Sequence, residues 1–310
     1  MLDILFNSTT VSSALRLGTP LIFAAVGCCF SDRAGIFNIA LECFMLCSAF
    51  FAALGTWFTL SPYIGVLWGI AASLLCALIF GIFVFYLKSS GIVVSIAMNL
   101  SAWGLTTLLM VFFWGRRGSY VDERLVSLPA IRAKWIEDIP VVGKILYGQN
   151  ILVYLSIVLI AVMWFVMYKT PFGLRLRGVG LNPTASQTIG INVQKYRWYA
   201  TVILGVFCGL GGAVLPLGGT SIFSENMTSG RGFLAVAAVM VGKGNPLVTG
   251  IFCLLFAYTD ALSLQLQNIG IPSQLVETFP YLATILVLVI SGAKQLIQEA
   301  SLKKAASSDL

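Results

Sequence analysis

The sequence predicts an all-α polytopic integral membrane protein with about 8–10 transmembrane helices, one of them short or re-entrant, built as a single domain over residues 1–310. Three observations carry that expectation. Only 10% of the residues are charged, against about a quarter in soluble domains, so the chain lacks the polar side chains to cover a surface facing water. Hydrophobic residues make up 58% of it and the mean hydropathy is +0.93. Apolar runs of about twenty residues, enough to cross a hydrocarbon core of about 30 Å, recur along its length.

Composition also narrows the chemistry. There is no histidine, and the seven cysteines (28, 29, 43, 47, 76, 208 and 253) all fall inside apolar runs without a CxxC pair. A thiolate and imidazole metal site therefore lacks half its ligand set, and no metal is expected. Cys43 and Cys47 stack at i, i+4 on a helix, and the cysteines read as small buried hydrophobes. GxxxxGK[ST] is absent; "GKGNP" at 242–246 lacks its spacing and its Ser/Thr. The net charge of +7 suits anionic lipid headgroups and a positive-inside bias rather than nucleic acid. Residues 1–10 carry no basic n-region, so no cleavable signal peptide is expected.

The apolar runs place nine segments at roughly 11–30, 37–60, 62–87, 91–114, 150–168, 198–217, 232–243, 246–264 and 277–292. The seventh, in "GRGFLAVAAVMVGKGNP", is short for a span and reads as a half-helix or re-entrant piece, tolerated only where protein or water lines it. The connection 169–197 holds Lys169, Arg175, Arg177, Lys195 and Arg197 and no acid. With that loop cytoplasmic, eleven basic residues lie inside and seven outside, giving an outer N-terminus and an inner C-terminus. Six of those seven fall in the outer loop 115–149, which mixes charge with Leu, Ile, Trp and Val and reads as short surface helices.

Within 169–197, Asn182 is a good N-cap, Pro183 suits the first helical position, and Gly190 suits the stop. Residues 183–189 thus read as a two-turn helix held between flexible glycines 173, 178 and 180. Two turns are unstable alone in water, so the helix docks either on its own helix ends or on a cytoplasmic partner. In the sixth segment, Gly205 and Gly209 stand in GxxxG register for close helix packing, and Pro216 bends or ends the helix.

Ionisable residues inside the spans are Arg16, Glu42 and Asp260. Arg16 and Asp260 sit near segment ends, where a long side chain or an interfacial carboxyl reaches water. Glu42 lies seven residues past Gly35, about 10 Å into its segment at 1.5 Å per residue, with Asn38 one turn earlier. Without a partner acid it is a poor proton relay. It suits a polar anchor at an inner gate, accepting hydrogen bonds from helix ends or hydroxyls. On the fourth segment Ser95, Asn99 and Thr106 share a face with Trp103 beside them. Such a stripe lines a pathway for a neutral polar solute or bonds neighbouring helices together.

Two function classes remain. A stand-alone secondary carrier for a small neutral solute normally shows paired intramembrane acids or broken helices gathering carbonyls. A permease driven by a separate ATPase needs a cytoplasmic docking element, and the capped helix favours it.

Three stretches then carry a resemblance. "SDRAGIFNIALECFMLCSAFFAALG", "LRLRGVGLNPTASQTIGINVQKYRWYATVILGVFCGLGGAVLPLG" and "GRGFLAVAAVMVGKGNP", in that order, resemble the permease subunits of bacterial ABC importers in the branched-chain amino acid/ribose/nucleoside permease family. "IPVVGKILYGQNILVY" is most similar to the nucleoside and simple-sugar branch, with branched-chain amino acids as the alternative. The family commonly has glycine after the motif glutamate, where this chain has Cys43.

The resemblance implies a multi-pass protein of the bacterial cytoplasmic (inner) membrane that makes no bonds itself. A cytoplasmic ABC ATPase, holding ATP and Mg, would grip the coupling helix at Asn182, Pro183, Thr184, Ala185, Ser186 and Gly190. A second permease subunit, identical or related, would complete the pathway, and an extracytoplasmic solute-binding protein would deliver the solute. No cofactor is expected on this chain. Asn38, Ser95, Asn99, Trp103 and Thr106 are the expected pathway residues.

Overall fold

Proline, glycine and capping side chains punctuate the chain and set where each helix starts and stops. The computed structural model describes residues 8–132 and 142–267, together with Leu282, Ile285 and Val289. Its helices are α1 (Ser8–Arg33), α2 (Leu41–Thr59), α3 (Pro62–Gly81), α4 (Gly91–Trp114), α5 (Val142–Leu146), α6 (Ile151–Lys169), α7 (Pro171–Leu181), α8 (Pro183–Thr188), α9 (Val193–Leu217), α10 (Arg231–Val241) and α11 (Pro246–Gln267). A π-helical turn, Ile82–Tyr86, extends α3. Seven helices among the described residues are long and apolar enough to cross a membrane: α1, α2, α3, α4, α6, α9 and α11. The ninth expected segment, 277–292, falls outside the described residues apart from Leu282, Ile285 and Val289.

The stops are local. Leu60 takes a left-handed conformation (φ 57°) after α2, and Pro62 starts α3 at a position where its missing N–H has no helical partner to lose. Gly115 (φ 65°) ends α4. Asn150, Thr170, Asn182 and Asn192 each accept a backbone N–H of the helix that follows, at 3.1, 3.3, 3.0 and 3.0 Å.

The core is built on α9, which packs against α1, α2 and α3. Its glycines admit other backbones. A Cβ on Gly209 would lie 2.7 Å from the Ile70 Cα, and one on Gly205 2.8 Å from the Ala77 Cβ. Gly212 faces the Met45 carbonyl and Gly211 the Pro20 carbonyl in the same way. Ser48 donates to the Gly209 carbonyl at 2.5 Å and Ser73 to that of Gly205 at 2.7 Å, so close approach and interhelical hydrogen bonding act at one seam. Pro216 sits in the last turn of α9, which ends one residue later.

Three expectations need correction. The second segment becomes helical only at Leu41; residues 34–40 are an irregular strap, which places Glu42 in the first turn of α2 and Asn38 before it. Glycines 173, 178 and 180 are not a flexible surround for the capped helix, because they lie inside α7. Gly173 rests on the Met167 carbonyl and Gly180 on that of Arg33, so each is needed for backbone contact. The outer loop contributes only the single turn α5 as helix among its described residues. Its first part instead forms β1 (Ser119–Val121), antiparallel to β2 (Ile222–Ser224) in the register Tyr120↔Phe223. Aromatic side chains of α2 and α4 hold it in that shape: Tyr120 stacks on Trp114 at the end of α4 at 4.4 Å, and Phe223 packs on Phe50 of α2 at 5.4 Å. This ribbon marks one end of the bundle; α7 and α8 mark the other, here called the loop end.

Candidate functional site

Two helices begin in the middle of the bundle, and their N-termini meet. The first is α2. The strap from Ala34 to Ala40 carries its backbone inward from Arg33, and inside a membrane every such N–H and C=O must find a protein partner. The end of α1 supplies those of Ala34, Gly35 and Ile36, and the polar face of α4 those of Ile39 and Cys43. Ser95 Oγ accepts the Ile39 N–H at 3.1 Å, Asn99 Nδ2 donates to the Ile39 carbonyl at 3.1 Å, and Asn99 Oδ1 accepts the Cys43 N–H at 3.0 Å. Asn38 folds its own side chain into the strap, its Oδ1 accepting the Ala40 N–H at 2.7 Å.

The second is α10, the seventh segment of the sequence. Its 11 residues span about 16 Å, and the turn after it touches the loop end. There the Arg33 guanidinium donates to the Lys243 carbonyl, and at 3.3 Å to that of Gly244. The α10 N-terminus therefore lies inside the bundle, about 16 Å from that turn. Glu42 meets it there: its two carboxyl oxygens accept the Gly230 N–H at 2.8 Å and the Gly232 N–H at 2.7 Å. Glu42 is buried. Orphan N–H groups and the positive end of a helix dipole are a favourable setting for a carboxyl group. Gly232 is the residue that permits the contact, since a Cβ there would stand 2.5 Å from the Glu42 amide nitrogen.

Of the five expected pathway residues, the structure brings Asn38, Ser95 and Asn99 together at this junction, bonded to backbone. Thr106 is buried and bonds the Ala102 carbonyl of its own helix at 2.8 Å. Trp103 stands on the exposed face of α4 with Leu100. None of the five lines the cavity of about 500 Å³ between α2, α3 and α4, whose walls include Cys43, Cys47, Cys76, Ala97, Met98 and Ser101. The cavity and the polar stripe occupy different faces of α4.

The chain matches the family described as "Branched-chain amino acid transport system / permease component" over residues 10–290. It belongs to that permease family. The permease is 34% identical over 303 residues to the nucleoside ABC transporter permease protein NupC of Lactococcus lactis, covering 94% of each chain. It is 34% identical over 294 residues to the guanosine ABC transporter permease protein NupQ of Bacillus subtilis, covering 91% of each. Its fold resembles that of PsaBC from Streptococcus pneumoniae, with TM-score 0.52 at 13% identity over 92% of this chain and 91% of that one.

At the loop end of the permease, α8 runs from Pro183 to Thr188 behind the Asn182 cap, and Gly190 (φ 82°) closes it. Thr184 and Ala185 are exposed, whereas Ser186 is buried against α7. Leu181 and Ile189, on either flank, are 84% and 75% exposed. Beside them lies a groove of about 550 Å³ lined by Arg175, Asn192, Lys195, Tyr196 and Tyr199.

Sequence reasoning missed the partners of Glu42, because Gly230 and Gly232 contribute only backbone. It also missed the ion pair of Arg231 with Asp260, 3.8 Å apart, which gives the eighth-segment acid a partner. An arginine at the start of an apolar half-helix facing an acid in the next span was the available signal.

Proposed function

We propose that this permease carries a nucleoside, or a simple sugar, inward across the cytoplasmic membrane as the membrane-spanning subunit of an ATP-driven importer. The observation that carries the proposal is full-length similarity to nucleoside and guanosine permeases, joined to a capped, exposed helix flanked by bare apolar side chains at one end of the bundle. The same similarity supports a separate ATPase and a solute-binding protein as partners.

On this reading α8 is the part that the ATPase grips. Leu181 and Ile189 enter a socket on the partner, and Arg175 and Lys195 in the adjacent groove meet its acids. The loop end then faces the cytoplasm, the ribbon end faces outward toward the binding protein, the N-terminus is outside and the C-terminus inside. A second permease subunit covers the exposed face of α4, where Trp103 would stack on a flat base. Asn38 Nδ2 is buried without a partner among the described residues, so the junction retains one donor for a neutral solute's hydroxyl or carbonyl. ATP and Mg belong to the ATPase, and this subunit makes no bonds.

Uptake of labelled nucleosides, sugars and branched-chain amino acids in a strain lacking the permease tests the proposal. ATP-dependent nucleoside uptake, insensitive to an uncoupler at fixed ATP, is the expected result. Uptake that collapses with the proton gradient would replace it with the secondary-carrier reading. Within that assay, Asn182→Ala combined with Pro183→Gly should leave the protein in the membrane and cut solute-stimulated ATP hydrolysis at least tenfold.

A further inference from the structure

The cavity between α2, α3 and α4 contains a cluster of chemistry that the junction does not use. Cys43 and Cys47 lie one turn apart on α2, and Cys76 reaches them from α3. Their three sulfur atoms all lie within 4.8 Å of one another. Three sulfurs bonded to one centre at about 2.3 Å stand at most about 4.0 Å from one another, and rotation about χ1 draws the three thiols inward to that spacing. The backbone beneath them is held firmly. Gly65 and Gly69 of α3 sit against Thr56 and Ser48 of α2, where an added Cβ would come within 2.0 and 2.7 Å of the hydroxyl oxygens. Cys76 continues the same face two turns further along. All seven cysteines of the chain are free thiols.

Charge decides what the cluster can take. The cavity walls include Ile79, Phe83, Val94 and Met98, and no ionisable group other than the cysteines lines it. A monovalent or divalent soft cation held by three thiolates would leave a net negative charge in that apolar setting, which is strongly disfavoured. A trivalent thiophilic centre bound to three thiolates is neutral. We propose that Cys43, Cys47 and Cys76 form a three-thiol site for trivalent arsenic and its heavier congeners, reached through the cavity as the neutral hydroxide. The step is an exchange without oxidation: three As–O bonds break, three As–S bonds form, and each thiol proton leaves with a hydroxide as water. Bound arsenic ties α2 to α3 at this level.

The test uses the full-length permease purified with its partner subunits and incubated with arsenite, then desalted and analysed for bound arsenic. One arsenic per permease chain is expected, with three sulfur neighbours by X-ray absorption. Cys43→Ala, Cys47→Ala and Cys76→Ala should each lower retained arsenic at least tenfold, whereas Cys208→Ala, on α9, should retain as much as wild type. The X-ray absorption measurement on the wild-type protein stands whatever the variants do to folding. No retained arsenic, fewer than three sulfur neighbours, or undiminished retention in Cys76→Ala would overturn the assignment. So would retention of Cd(II) by the same three residues with no retention of arsenic.

Discussion

Glu42 is the residue on which the middle of the bundle turns. It joins two helix starts that are 188 positions apart in sequence, and two backbone N–H groups depend on it. Glu42→Ala would leave the buried Gly232 N–H and the half-buried Gly230 N–H without their acceptor, a loss of about 3 kcal/mol, and the thermal midpoint of the solubilised protein should fall accordingly. Glu42→Gln keeps one carbonyl acceptor and should lose about half as much, with transport near normal. Transport abolished in a folded, assembled Glu42→Gln protein would point instead to direct contact with the solute. A second residue with a checkable role is Asp122, in the ribbon. The Arg124 backbone N–H, the Tyr120 hydroxyl and the Trp57 indole all donate to it, and they hold its carboxyl below the ordinary aspartate value. With the folded value depressed, the stabilisation is complete above about pH 3.9 and is lost as pH falls through the lowered value. Tyr120 shifts the other way: burial, then the neighbouring Asp122, raise its hydroxyl above the usual value. Its contribution therefore holds below about pH 10 and disappears as pH rises through the raised value. Tryptophan emission should report an acid transition with a midpoint below about pH 3.9, and Asp122→Asn should remove it.

At the scale of elements, the seam between α9 and α3 depends on glycine where no side chain fits. Gly209→Val should be damaging, because the new Cβ meets the Ile70 Cα at 2.7 Å and a backbone cannot rotate aside. A loss of about 3 kcal/mol or failure to accumulate in the membrane is expected, read by thermal shift and by membrane yield; full yield with an unchanged midpoint would contradict the seam. The elements also show what a single chain reveals. The span 91–114, the cap at Asn182 and the GxxxG pair of Gly205 and Gly209 are written locally, in apolar length, in a capping side chain and in spacing, and each appears in the structure. The helix α7 was not legible, because Gly173, Gly178 and Gly180 imitate a flexible loop while serving as contact points. The strap at 34–40 was hidden for a related reason: its residues are as apolar as a span, and only Ser95 and Asn99, far along the chain, reveal that its backbone is open. Glu42 stood out as a buried acid, but its partners are amides of two glycines and carry no sequence signal of their own.

At the scale of the molecule, a continuous run of contacts links the loop end to the junction. α8 packs on α7; Gly180 of α7 rests on the Arg33 carbonyl at the end of α1; the Arg33 side chain holds the turn between α10 and α11; and Glu42 holds the opposite end of α10. Each contact is backbone-close or hydrogen-bonded, so under the proposed function a partner's displacement of α8 would be transmitted as a shift of rigid pieces rather than absorbed by loose side chains. Gly180 is the narrowest step, because a Cβ there would lie 2.1 Å from the Arg33 oxygen. Gly180→Val should force α7 away from α1 while leaving Asn182, Pro183 and the exposed face of α8 intact. The expected outcome is a variant that still co-purifies with its ATPase but whose uptake falls at least tenfold, with ATP hydrolysis no longer stimulated by solute. A variant that loses the ATPase altogether would show that α7 only shapes the docking surface. Normal uptake would show that the path from α8 to the junction runs elsewhere, through α9.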